Sequence, residues 1–222
     1  MPKGEMEMLI TKRFALFALL ALAFAVFSGC APCKDYKAII VDLDGQIADL
    51  HAQVAEREAT IAEGENLAAE LREQMSGVEA EKDVLIEQLN EVVTVTIPEE
   101  ILFASGQVMI LDTMIPTLEA FRDACDEYPD WDIMVEGHTD DQKLWEDFQE
   151  IWPTNWELGA ARSAAVTRYL TNWLDMEADR FAVVSYGPFH PVGDNTTVEG
   201  RKTNRVVRIV LHKPERLWAR NR

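Results

Sequence analysis

The sequence predicts an α+β domain, running strand, helix, strand, helix, strand, strand, with its helices on one face of a single sheet and a long coiled-coil helix in front. Three observations predict it. Between Lys34 and Ile97 no proline interrupts an apolar register that steps by three and four. From Val93 onward, four short runs alternate apolar and polar residues, the period of half-buried strands. Two further segments carry apolar residues at helical spacing, and helices on one sheet face give both kinds of element a shared core.

At 222 residues with 48% hydrophobic content, the chain has room for one domain core plus extensions. Its formal charge is −18 and it presents no large basic segment, which argues against nucleic acid as a partner, since that affinity comes mainly from neutralised phosphates. The cysteines Cys30, Cys33 and Cys125 are too few for a disulfide scaffold. A lone Cys-x-x-Cys supplies only two metal ligands, so neither a metal site nor a cofactor is expected.

The N-terminal segment, 1–29, reads as an export signal. Lys12 and Arg13 precede an apolar run from Phe14 to Phe27, and Ser28-Gly29-Cys30 follows. The run is short for a membrane span, which needs about 20 residues. Small-small-Cys resembles the bacterial lipobox, which implies a lipid on Cys30 as the first mature residue. Ala31 in place of Asp implies the outer membrane, with the rest of the chain facing the periplasm. The alternative is an uncleaved anchor helix.

Residues 30–35 form the lipidated N-terminus, and 36–92 read as a coiled-coil spacer. Ile40, Ile47, Val54, Ile61, Ala68, Met75 and Leu89 fall at a; Leu43, Leu50, Leu71, Val78, Leu85 and Val92 fall at d; Arg57, Gly64 and Lys82 break the seam. β-Branched residues at a with Leu at d favour a parallel homodimer, and a trimer stays open. An unbroken helix here would measure about 80 Å. Extending the register backwards puts Cys33 at a, so two copies could meet there in an interchain disulfide.

The domain occupies 93–213, with a basic tail at 214–222. Val93, Val95 and Ile97 form a strand that ends at Pro98. Ile101 to Gly106 reads as a short extended piece and turn. Asp112 to Glu127 is a helix stopped by Pro129, with Cys125 on its apolar stripe as a small buried hydrophobe. Trp131, Ile133 and Val135 make the second strand. Thr154-x-x-Glu157 is a capping box that opens a helix ending near Met176. Phe181 to Tyr186 and Val207 to His212 complete the sheet.

The stretch from Val135 to Arg162 holds the candidate site. It places Asp140 at the end of a strand and Arg162 one turn into the next helix, where the two could face each other. Arg162 falls in the middle of the stripe made by Leu158, Ala165, Val166, Tyr169 and Trp173. A charge there needs a partner or a ligand.

Ile101-Leu102-Phe103-x-Ser105-Gly106, Val135-Glu136-Gly137-His138-Thr139-Asp140, Asn155-Trp156-Glu157-Leu158-x-x-x-Arg162, Tyr186-Gly187, and Gly200-Arg201-x-x-Asn204-Arg205-Val206-Val207 together resemble the OmpA-like peptidoglycan-binding domain. Trp152 to Leu158 is similar to the MotB, or flagellar-stator, branch. The whole layout resembles peptidoglycan-associated lipoproteins with a spacer. The resemblance implies that Asp140 and Arg162 grip the zwitterionic end of diaminopimelate in the peptide stem, with Thr139, Asn155, Leu158 and Arg205 around them. Backbone amides near Thr139 and the helix start at Asn155 would complete an anion-friendly pocket. Gly159 departs from the small hydroxyl residue usual in that motif, and Val206 stands where many relatives repeat Arg. The loop Asp141 to Pro153 is long and carries Trp145, Phe148 and Trp152.

An enzyme is not expected. Glu136, Asp140 and Asp141 are not spaced as a glycosidase pair, and His138 with these acids lacks an assured third metal ligand. The implied function is a non-catalytic tether between the outer membrane and peptidoglycan. The competing reading is a MotB-like stator subunit, which would need an acid in its membrane helix; Phe14 to Phe27 contains none.

Overall fold

A computed structural model describes residues 31–76, 84–104 and 107–214; the export-signal run, Cys30, the tail beyond Pro214 and the side chain of Cys33 lie outside the described residues. Helix α1 spans Ala31–Gln74. The chain divides into two units, one up to Glu56 and one from Arg57 onward. In the first, Ile40, Leu43, Ile47, Leu50 and Val54 stand 49 to 58% exposed, a stripe with no cover from the described residues.

In the second unit the continuation of that stripe is covered: Leu67, Ala68, Leu71 and Met75 are buried in the same core as the sheet. Gly64, which breaks the heptads, sits where the helix meets Trp131; a Cβ there would stand 3.2 Å from the indole. The helix uses a glycine at 64 to approach a fully buried ring.

This corrects the 36–92 spacer. The helix stops at Gln74, and residues read as its last heptads form strands β1 (Leu85–Leu89) and β2 (Val92–Pro98). These pair antiparallel through a two-residue turn, in which Asn90 takes φ 55, a left-handed conformation that asparagine tolerates better than most residues. The a and d steps at 85, 89 and 92 are too few to separate a helix from a hairpin, and pairing with the sheet decides the matter.

The remaining strands are β3 (Asp132–His138), β4 (Phe181–Gly187) and β5 (Val206–His212). The sheet order is β1-β2-β5-β3-β4, antiparallel except for the parallel β3/β4 pair. Val93, Val95, Ile97, Ile133, Val135, Val207, Ile209 and Leu211 form its buried face. Besides α1, two more helices pack into that core. One is α3 (Ile115–Asp126), through Leu118, Phe121, Ala124 and Cys125; the other is α5 (Asn155–Asn172), through Ala165, Val166 and Leu170. Burial pushes the Cys125 thiol pKa up, consistent with a core residue.

The α+β architecture is as expected, with additions. Glu99–Leu102 is a short helix, α2, rather than part of an extended piece, and Phe103 bridges Ile110. The aromatic loop contains α4 (Glu146–Gln149), with Trp145 81% exposed. Helix α6 (Val198–Asn204) precedes β5. Among the described residues no helix is long and apolar enough to cross a membrane.

Candidate ligand site at the sheet end

Antiparallel pairing gathers the site at one end of the sheet. Pro98, the last residue of β2, lies opposite Val206 at the start of β5, and Val207 lies opposite Gly137 near the end of β3. Glu99, Arg205 and Thr139-Asp140, which flank these positions, therefore emerge together. The Glu99 amide donates to the Arg205 carbonyl at 3.0 Å.

Arg162 enters from α5. That helix begins at the expected capping box: the Thr154 hydroxyl accepts from the backbone while Glu157 reaches back to the Thr154 amide at 2.8 Å. One turn on, α5 meets the sheet through glycines. A Cβ at Gly137 would overlap the Gly159 carbonyl, and one at Gly159 would overlap the Ser185 hydroxyl. Ser163 donates into this contact, its hydroxyl lying 2.9 Å from the carbonyls of both Gly159 and Val184. Gly159 is thus the residue that lets α5 come close enough for Arg162 to reach the sheet end.

Arg162 and Asp140 do not pair with each other. Arg162 donates through both Nη atoms to the two carboxylate oxygens of Glu99, each at 2.5 Å, with the side chains 4% and 14% exposed. Its Nε is buried without a hydrogen-bond partner, and its guanidinium carbon lies 5.8 Å from the Phe103 ring centre. Asp140 accepts from Arg205 Nη1 at 2.7 Å through Oδ2, and from the Gln142 amide at 3.1 Å through Oδ1. Two acids and two bases make one cluster. Burial pushes the Glu99 carboxyl above the usual range, outweighing the pull of Arg162 and Arg205. Burial likewise lowers Arg162, against the opposing pull of Glu99.

The other expected residues fall nearby in different roles. The Thr139 amide is committed to the Gly187 carbonyl at 3.0 Å, and its hydroxyl donates to the Asp140 carbonyl. Asn155 holds the loop, its Nδ2 donating to the carbonyls of Asp140 at 3.2 Å and Gln142 at 2.9 Å. Leu158 is buried one turn before Arg162. The Thr139 amide is therefore committed within the fold, and the start of α5 is capped by its own Thr154 and Glu157. His138 is buried with its Nε2 3.2 Å from Glu136, and its ring lies 5.0 Å from that of Tyr186, whose pKa the Glu136 charge raises.

Sequence reasoning missed Glu99. Its only local signal is an acid directly after a strand-ending proline, and nothing within a few residues indicates that it faces a helix 63 residues further on.

Residues 102–205 match the model of the OmpA family. Two curated relatives share 36% identity: YtxE of Bacillus subtilis, over 54% of this chain and 48% of its own, and outer membrane porin F of Pseudomonas aeruginosa, over 40% and 24%. The chain thus spans about half of the first and a quarter of the second. Among solved structures, a MotB-like protein from Desulfovibrio vulgaris superposes with a TM-score of 0.65 at 27% identity, over 72% of this chain and 96% of that one. The cell wall anchor of the type VI secretion system from Pseudomonas aeruginosa gives 0.57 at 28%, over 65% and 97%.

Proposed function

We propose that this chain, whose residues 102–205 form an OmpA-family domain, is a non-catalytic envelope protein that binds the peptidoglycan stem peptide through that domain and is tied to the outer membrane by lipid on Cys30. The observation that carries the reading is the cluster of Glu99, Asp140, Arg162 and Arg205 at the sheet end. A planar guanidinium binds a carboxylate through two parallel hydrogen bonds, and a carboxylate accepts from an ammonium, so the cluster suits the α-amino carboxylate that ends a diaminopimelate side chain. The likeness to the cell wall anchor of the type VI secretion system supports that direction.

The test is co-sedimentation of the protein with isolated sacculi. Asp140→Ala and Arg162→Ala should each abolish it, and Arg162→Lys should retain little, because an ammonium cannot reproduce the fork. Unchanged sedimentation of folded Asp140→Ala and Arg162→Ala would defeat the assignment.

The exposed stripe of α1 supports a parallel homodimer, or a trimer, through residues 36–56, a rod of about 30 Å rather than the longer spacer read from the heptads. A second reading, a stator subunit anchored in the inner membrane, is favoured by the likeness to the MotB-like structure. Mass spectrometry of the mature N-terminus separates the two: lipid on Cys30 supports the tether, and an intact unlipidated upstream peptide supports the stator.

A further inference from the structure

Resting on the stem-peptide reading above, we propose that Glu99 is a specificity-determining residue: it releases Arg162 to a ligand that brings an ammonium together with its carboxylate, and withholds it from a carboxylate alone. Glu99 stands three residues before the segment that matches the family model.

The Arg162 fork is not free to take a ligand. Both Nη atoms serve Glu99, and the Nε is buried. A ligand carboxylate gains the fork only by exchange with Glu99. The cost of that exchange depends on the ligand's remaining charge. Glu99 and Asp140 balance Arg162 and Arg205, so the cluster is neutral as it stands.

A simple carboxylate that displaces Glu99 leaves that side chain, which is 14% exposed, without its Arg162 fork and the cluster with one negative charge in excess, three carboxylates facing Arg162 and Arg205. Burying an unpaired charge is costly. A lone ammonium that draws Glu99 away leaves Arg162 as the unpaired charge, at 4% exposure. A zwitterion avoids both costs. Its carboxylate takes the Arg162 fork while its ammonium sits between the released Glu99 and Asp140, and the cluster stays neutral. Discrimination of this kind comes from penalising the wrong ligand as much as from contacts to the right one.

The test is calorimetric titration of the full-length protein with three peptides differing only at the third residue of L-Ala-γ-D-Glu-X. In the first X is meso-diaminopimelate, whose side chain ends in a zwitterion; in the second it is α-aminopimelate, ending in a carboxylate; in the third it is L-lysine, ending in an ammonium. The wild type should bind the first at least about tenfold more tightly than either of the others. In Glu99→Gln, where no anion is released, the α-aminopimelate peptide should come within about threefold of the diaminopimelate peptide. Circular dichroism confirms the fold of the variant; should it not fold, Glu99→Ala, which likewise releases no anion, takes its place with the same expected result. Equal wild-type affinity for the first two peptides, or full discrimination retained by folded Glu99→Gln, overturns the role of Glu99 while leaving the stem-peptide reading in place. Failure of the wild type to bind any of the three overturns that reading and this inference with it.

Discussion

Gly159 on α5 lies against Gly137 on β3 so closely that a Cβ at 137 would overlap the Gly159 carbonyl. The contact is backbone against backbone, and neither side can rotate away as a side chain would. Gly137→Ala should destabilise the domain by about 1–3 kcal/mol, the range for overpacking a well-filled interior, as measured by urea denaturation. Because α5 carries Arg162 on its next turn, sacculus binding should fall further than the loss of folded protein explains. A variant of wild-type stability would mean that helix and strand are free to separate.

Glu99 makes a pH prediction. Burial raises its carboxyl pKa in the folded chain, so between the ordinary glutamate value and that raised value the folded state holds a proton the unfolded state has lost. Stability from this group is therefore greatest below the ordinary value, declines as pH rises through the window and is level above it. Glu99→Gln cannot titrate. Subtracting its urea stability from that of the wild type across pH should leave a difference that declines in this window. A difference that rises with pH would show that Arg162 and Arg205 outweigh burial.

The end of α1 belongs to the domain core, and truncation tests it. A chain starting at Arg57 should unfold at nearly the urea midpoint of the full-length protein. One starting at Gly77 uncovers the surface packed by Leu67, Leu71 and Met75, buried side chains worth about 1.5–3 kcal/mol each, and should unfold much earlier or fail to fold. Equal midpoints for the two would reduce α1 to a spacer throughout.

Upstream of Glu56, the exposed stripe of Ile40, Leu43, Ile47, Leu50 and Val54 is the surface on which the proposed parallel dimer or trimer rests. Ile47→Glu combined with Leu50→Glu puts like charges into every chain of a parallel assembly. Sedimentation equilibrium should then show a monomer, where the wild type shows a dimer or trimer. A non-reducing gel of the wild type should in addition show a Cys33-linked pair.

How much of this was legible in the sequence varies with the range of the interaction responsible. The alternation of Val93-Val95-Ile97 and of Val207-Ile209-Leu211, and the Thr154-x-x-Glu157 box, are satisfied within a few residues, and they reappear in the structure at those positions. Leu85 to Val92 fitted two periods over too short a span, and only pairing across the sheet chose the hairpin. Gly159, a departure from the family motif by sequence, became intelligible once Gly137 and Ser185 were seen against it.

The sequence by itself determined that Arg162 stands on an apolar helical stripe and therefore requires an anionic partner, because helix periodicity is local and the cost of burying an unpaired charge is general. It could not determine that the partner in the unliganded chain is Glu99 rather than Asp140. That choice was made by strand register, which sets Pro98 opposite Val206 and Gly137 opposite Val207, and so brings to one sheet end residues as far apart in the chain as Glu99 and Arg205.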